Sequence, residues 1–453
     1  MKTITFFRNF VMASFVMSLI PVLAYSEPFT TGNLIVTRLG DGITALSSIN
    51  STIYLDEYTT GGTLVQTITL PTVETAVAPN NSIYITGTAI GEGIINLSTD
   101  NRYLLVAGYK TLTAAGLQPR VIATIDKSGS INTTTSLAEF STSAICRGAI
   151  STNGTDLWIA AMGGTGVNYT TLGSTTSTPM FATGTNNVKG LGIYDNKIYF
   201  CSTVAGYRFA KMDNDLPKTI EQPYTVLANA GSGVTLPIGV ASPNSFVMFD
   251  LDATIPGVDV MYVAEDCYTT TTTNNAAKGL TKYSLSATGL WVKTGAIIEN
   301  DGIKGITGTL TPSGVVLYMT TTTKTATSTS TNTRLVTCTD ATGYNGTLSG
   351  SLTDILVAPA LTAFRGVCFA PSVAAPIIPT AVKNVFENKK LVVSQLNGTI
   401  SFTATSGEKI EIINAVGQKL TSSLAQQGLN SITPSAKGVL MVKVGNRIAK
   451  VIL

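Results

Sequence analysis

Histidine is absent from this 453-residue chain. Its absence removes the commonest general base and the commonest metal ligand. Ser-His-Asp and Cys-His catalysis are therefore excluded within one chain, as are His-containing zinc sites. Charge is sparse as well: Asp, Glu, Lys and Arg make up 12% of the residues, with a formal net charge of +3. No block of Lys and Arg accompanies that small excess, so nucleic acid is not an expected partner. The five cysteines (Cys146, Cys201, Cys267, Cys338 and Cys368) are scattered and form no CxxC pair. An odd count in an exported chain leaves at least one thiol outside any intrachain disulfide. Cys146, Cys201 and Cys368 fall in or beside expected strands, where they read as small buried hydrophobes. There is no P-loop, no dinucleotide fingerprint and no nucleophile elbow.

Long apolar runs are confined to the N-terminus. Lys2 and Arg8 precede an apolar stretch from Phe10 to Leu23, and Ala24-Tyr25-Ser26 supplies small residues for cleavage. This reads as an export signal over 1–26, cleaved after Ser26. No later run is long enough to span a bilayer as a helix.

Glycine and threonine are abundant instead, which favours many short strands joined by turns. A short motif recurs, in which a basic residue and a glycine open an apolar run. It appears as CRGAIS from Cys146, VKGLGI from Val188, IKGITG from Ile303 and RGVCFAP from Arg365, with looser copies at Glu92 and Pro237. The glycines at 93, 148, 190, 239, 305 and 366 lie about 40 to 65 residues apart, the spacing of one four-stranded blade per repeat. Each motif is read as the innermost strand of a blade.

The last motif has one strand and no partners, whereas the N-terminus has three strands (Asn33 to Leu39, Thr52 to Tyr58, Thr63 to Leu70) and no innermost one. Joining them closes a ring and removes free sheet edges. The expected fold is therefore an all-β propeller over 27–372, of six blades with seven as the alternative. The pattern stops near Ala374-Ala375-Pro376. A linker over 373–382 leads to a strand-rich tail over 383–453 that suits a small β-sandwich. Two Thr-rich tracts, Thr269 to Thr273 and Thr320 to Thr333, read as exposed loops.

Within the tail, IEIINAVGQKL (Ile410 to Leu420), GLN at Gly428, GVLMVKVGN (Gly438 to Asn446) and the terminal KVIL follow in order. These motifs resemble the type A C-terminal sorting domain of the Bacteroidetes type IX secretion system. Ile413 and Leu440 stand where that family often carries aromatic residues. The resemblance implies passage through the outer membrane, recognition by the secretion machinery, and release or surface attachment. It concerns delivery and leaves the cargo's role open. The blades resemble those of secreted bacterial propellers of unassigned function.

Three constellations could carry chemistry. Arg147, Lys189, Lys304 and Arg365, each just before a blade glycine, would form a cationic ring at one channel mouth, interrupted by Glu92 and Ile238. Such a ring suits an anionic ligand, such as an acidic glycan; the competing reading is ordinary solvated loop charge. Asp250, Asp252, Asp259, Glu265 and Asp266 crowd one blade and could hold Ca²⁺ or do acid–base work on sugars, although turn positions also explain them. Tyr84, Tyr109, Tyr169, Tyr207, Trp158 and Trp291 could stack on sugars or pack between blades. The leading expectation is a secreted or cell-surface binding module for a glycan or protein partner. The alternative is a carboxylate- or metal-dependent enzyme acting on a polysaccharide or a small acid.

Overall fold

Strands in the first part of the chain read as nearly unbroken apolar runs, such as LLVAG, LWIAA and VMYVA. That pattern belongs to sheets covered on both faces. The computed structural model describes residues 27–75, 80–112, 118–141, 145–162, 166–181, 187–204, 207–228, 243–266, 278–322, 333–372 and 391–453. The expected signal peptide, the Gly239 motif, Cys267, the Thr269 to Thr273 tract and the expected linker lie outside the described residues. The chain divides into two compact units, Met1–Ala374 and Ala375–Leu453.

The first unit is a six-bladed propeller. Blade 1 is the closing blade: Ala363–Phe369 pairs antiparallel with Leu34–Leu39, which pairs with Asn50–Tyr58 and then Leu64–Thr69. Blade 2 runs outward as Ile95–Leu97, Tyr103–Tyr109, Arg120–Asp126 and Ile131–Leu137. Blade 3 is Ile145–Ser151, Asp156–Met162, Val167–Thr171 and Thr178–Pro179. Blade 4 is Val188–Tyr194, Lys197–Ser202, Phe209–Met212 and Tyr224–Ala228. Blade 5 is Pro243–Phe249, Val260–Asp266, Lys278–Leu285 and Trp291–Ile298. Blade 6 is Ile303–Thr311, Gly314–Thr321, Arg334–Asp340 and Thr353–Val357. Each innermost strand packs on the innermost strand of the next blade, and the series returns from blade 6 through blade 1 to blade 2. The ring is closed by the two ends of the unit.

Each blade interface holds its own apolar cluster. Leu157, Ile159 and Ala161 of blade 3 face Leu105, Ala107 and Ile122 of blade 2. The alternate residues Trp158 and Ala160 join Ile198, Phe200 and Ala210 of blade 4. Burial of both alternating sets explains why the sequence period of two is hard to see in these strands.

The structure departs from the sequence reading in three places. A short strand, Tyr84–Thr86, pairs with both Asn50–Tyr58 and Tyr103–Tyr109 and ties blade 1 to blade 2; at three residues it is too short to show a period. The described part of the innermost strand of blade 5, Pro243–Phe249, runs well past the GVASP stretch expected from Gly239. The second Thr tract does not begin as an exposed loop: Thr320 and Thr321 belong to a strand of blade 6 and are buried, as is Thr333.

The second unit is a sandwich of two antiparallel sheets. One contains Val393–Leu396, Thr399–Ala404 and Gly428–Ile432; the other contains Lys419–Leu424, Lys409–Asn414, Val439–Val444 and Arg447–Ile452. Ile400, Phe402, Ile412, Leu440 and Val442 fill its core. The tight turn at Asn397-Gly398 takes φ values of 47° and 79°, the left-handed conformation that an Asn-Gly hairpin supplies.

Candidate functional site: a charged layer in the propeller channel

The basic–glycine motif marks a bulge that recurs at one level of the ring. In blade 6, Ile303 pairs with Thr321 and Ile306 with Met319, so Lys304 and Gly305 bulge opposite Thr320. Blade 4 repeats this with Lys189 and Gly190 opposite Cys201. Blade 1 repeats it with Arg365 and Gly366 opposite Thr37, and in blade 3 the extra residue is Arg147. In blade 5 the bulged residue is Asn244. The sequence reading had placed Ile238 in that slot, which lies outside the described residues.

Glycine is needed here because neighbouring inner strands approach backbone to backbone. A Cβ on Gly366 would sit 2.5 Å from the amide nitrogen of Ile95 and 2.7 Å from the carbonyl oxygen of Gly93. The residue opposite the bulge staples the blades together. The Thr320 hydroxyl accepts the Gly305 N–H at 3.0 Å and donates to the Arg365 carbonyl. Cys201 does the same in blade 4, accepting from Gly190 N–H at 3.3 Å and donating to the Pro243 carbonyl at 3.7 Å. This gives a free, buried cysteine a definite task. Cys338 and Cys368 are also free.

The bulges bring the four predicted basic residues together, but not at a mouth. Arg147, Lys189, Lys304 and Arg365 are all buried, Lys304 completely. Neither a solvent-facing ring nor ordinary solvated loop charge describes them, because the bulge turns each side chain in at the level where the inner strands meet. Glu92 lies within the group and is itself buried, as is Asp266 at the end of a blade 5 strand. Lys304 interacts electrostatically with Arg365, Asp266, Lys189 and Glu92, which belong to four other blades.

Partners are unevenly shared. Lys189 Nζ pairs with Asp266 Oδ2 at 3.1 Å. Arg147 Nη2 donates to Asn187 Oδ1 at 2.7 Å. Arg365 donates to the carbonyls of Gly87 at 2.9 Å and Phe364 at 3.2 Å. Glu92 accepts from the Tyr109 hydroxyl and, at 3.2 Å, from the Thr86 N–H. Tyr109 in turn carries the buried Arg120 guanidinium over its ring, 4.5 Å from the centroid. Lys304 Nζ has no hydrogen-bond partner among the described residues.

The electrostatics follow from that arrangement. Burial and the neighbouring Arg365 push the Lys304 amine well below the ordinary lysine range. Burial brings Arg365 down to about 10, opposed by Glu92. Burial also raises the Glu92 carboxyl, although Tyr109, Thr86 and the cations oppose it. Four basic groups thus share a desolvated layer with two carboxylates.

The five-carboxylate set does not converge as one site. Asp259 accepts the N–H groups of Leu251 and Asp252, at 2.9 Å and 2.6 Å, and braces the turn in which Asp250 and Asp252 lie. Glu265 and Asp266 sit at the other end of the same strand, six residues along and about 20 Å away. Among the described residues no group of three or more such side chains could hold a metal ion. The aromatic set packs rather than presents: Tyr84, Tyr109, Trp158, Tyr207 and Trp291 are buried, and Trp158 lies against the partly buried Tyr169 with ring centroids 5.5 Å apart.

On its far side the channel opens into a cavity of about 220 Å³, lined from all six innermost strands. No helix among the described residues is long and apolar enough to cross a membrane.

These features define the class: a six-bladed β-propeller with a buried charged layer at its bulges, in a chain that also carries a small β-sandwich unit. No family model and no curated protein matches the chain. Solved structures are similar at low identity. The structure described as a nidogen/laminin complex matches 75% of this chain and 98% of its own, at 10% identity and a TM-score of 0.44. PorZ, a surface component of the type IX secretion system of Porphyromonas gingivalis, matches 94% of this chain at 12% identity and a TM-score of 0.40. The match covers 58% of PorZ. The periplasmic gluconolactonase PpgL of Pseudomonas aeruginosa matches 75% of this chain and 99% of its own, at 12% identity and a TM-score of 0.41. Scores of this size establish neither a shared activity nor a shared partner. The blade assignment follows from strand pairing and from closure of the inner ring.

Proposed function

We propose that the chain is an exported propeller that binds a partner through an anionic group, such as the carboxylate of an acidic glycan, at its charged layer. The observation that carries this reading is Lys304, a fully buried amine that lies near Arg365 and has no hydrogen-bond partner among the described residues. Buried charge is costly unless it is paired, and an incoming anion would supply the missing pairing while restoring the Lys304 proton. The enzyme alternative rested on converging carboxylates. The acidic set of blade 5 divides between two ends of a strand, and Glu92 and Asp266 are already engaged, which favours binding.

Delivery belongs to the same reading. The leader over 1–26 would direct export, 27–372 would bind, and 383–453 would act as a type IX sorting domain, beyond a linker at 373–382. The tail motifs and its sandwich of two sheets support that assignment. Binding is tested with uronate-containing and neutral oligosaccharides against the full chain and an Arg147→Glu/Arg365→Glu variant. Saturable, salt-sensitive binding of the acidic series that is lost in the variant is expected; unchanged binding overturns the site. For delivery, removing 383–453 is expected to retain the propeller inside a type IX-competent host, and undiminished release overturns the sorting role.

A further inference from the structure

Successive layers along the channel differ in chemistry. Two or three residues beyond Gly93 or the bulged residue Arg147, Lys189, Asn244, Lys304 or Arg365, each inner strand carries one apolar residue that lines the far cavity: Ile95, Ile150, Leu191, Phe246, Ile306 and Val367. All six are nearly buried. They form a collar on the order of 7–10 Å from the charged layer. Outside the collar the lining becomes polar but not ionic. Among the described residues no charged side chain lines this cavity of about 220 Å³.

Polar groups at the rim have spare capacity. No side-chain hydrogen bond engages the Thr307 hydroxyl or the Asn101 amide within the described residues, and Asn101 is exposed on a turn with φ of 58°. Asn96 donates its amide to the Ala149 carbonyl at 2.9 Å, which leaves its Oδ1 as an acceptor. Tyr194 and Phe246 meet on one side with ring centroids 6.3 Å apart.

We infer that this uncharged mouth is a second binding site, for a neutral sugar ring or the neutral terminal unit of a glycan. An ionic ligand would lose its hydration there without a counter-charge. A wholly apolar ligand would desolvate the Thr307 hydroxyl and the Asn96 carbonyl without pairing them. A pyranose meets both demands: its C–H face suits the apolar collar and the Tyr194–Phe246 side, and its hydroxyls suit the amides and the threonine at the rim. A cavity of about 220 Å³ has room for a single pyranose ring.

This site is distinct from the charged layer, since none of the buried basic residues or Glu92 and Asp266 lines the cavity and the expected ligands differ in charge. The test titrates the full chain with glucose, galactose, mannose and xylose, and with glucuronate, by calorimetry or ligand-observed NMR. At least one neutral sugar is expected to bind saturably, with a dissociation constant on the order of 1 mM that does not change with added salt. Thr307→Trp fills the cavity and is expected to weaken binding by about tenfold or more. Asn101→Gly removes only the amide at an exposed position whose φ suits glycine, and serves if the tryptophan variant does not fold. The inference is overturned if no neutral sugar saturates, if glucuronate binds more tightly, or if binding survives in Asn101→Gly and in a folded Thr307→Trp.

Discussion

Two lysines among the described residues of this propeller are completely buried, and they live in opposite circumstances. Lys282, between blades 5 and 6, pairs with Asp340 at 2.8 Å. It also donates to the Thr342 hydroxyl and the Gly346 carbonyl at 3.0 Å each, and to the Gly343 carbonyl. Asp340 is further held by the Tyr262 hydroxyl at 2.6 Å, and these donors keep its carboxyl below the usual range despite burial. Lys304, in the channel, has no such partner among the described residues. The first arrangement uses all its bonding capacity within the fold. The second keeps capacity in reserve, and that separates a structural charge from a candidate binding group.

Breaking the closed pair should have the largest effect. Asp340→Ala would leave Lys282 charged and desolvated, which typically costs about 3–5 kcal/mol. A urea midpoint shifted to that extent is expected, and a loss below about 1 kcal/mol would show that the pair is not the closed unit its geometry indicates. Gly366→Ala comes next. The added methyl would meet backbone atoms of Gly93 and Ile95, which cannot rotate away as a side chain can, so a cost of about 1–3 kcal/mol is expected.

Lys304→Met should act in the opposite direction. Replacing an unpaired buried amine with an apolar chain of similar length removes a desolvation penalty, and a gain of about 1–3 kcal/mol is expected. The same variant should lose acidic-glycan binding. Greater stability with lost binding is the signature of a functional residue, whereas a destabilised Lys304→Met would mean that the amine is already satisfied and the contrast with Lys282 is false.

The sequence carried the blades and their closure because most inner strands carry a glycine at the same level, and at Gly190, Gly305 and Gly366 the neighbouring backbone comes too close for a side chain. It carried the four basic residues for the same reason, since each precedes that glycine. Their burial was not legible: whether the residue before a glycine turns into a channel or out to water depends on a bulge, and a bulge is defined by the partner strand. Asn244 was missed because the bulge of blade 5 lacks the basic–glycine pair, while a better match occurs earlier in the chain. The Lys282–Asp340 unit left no trace because its members sit in different blades, each within an ordinary polar–apolar alternation. The carboxylates of blade 5 were close in sequence, but a strand holds its ends apart.

Glu265 is the acidic counterpart of Lys304 and gives the subtlest test of the comparison. It is fully buried, its Oε2 has no hydrogen-bond partner among the described residues, and the Thr281 hydroxyl donates to its Oε1 at 3.5 Å. Burial, helped by Asp266 and opposed by Lys293 and Arg208, pushes its carboxyl well above the ordinary glutamate value of 4.5. The folded state therefore binds this proton more tightly than the unfolded state. Its contribution to stability is fully present below the unfolded value of 4.5 and is lost as pH rises towards the folded one. Glu265→Gln keeps the shape of the neutral acid and does not titrate. Its melting temperature should match the wild type near pH 4 and exceed it increasingly as the pH is raised to about 8. Parallel curves for the two proteins would mean that Glu265 is ionised and paired in the fold, placing it with Asp340 rather than with Lys304.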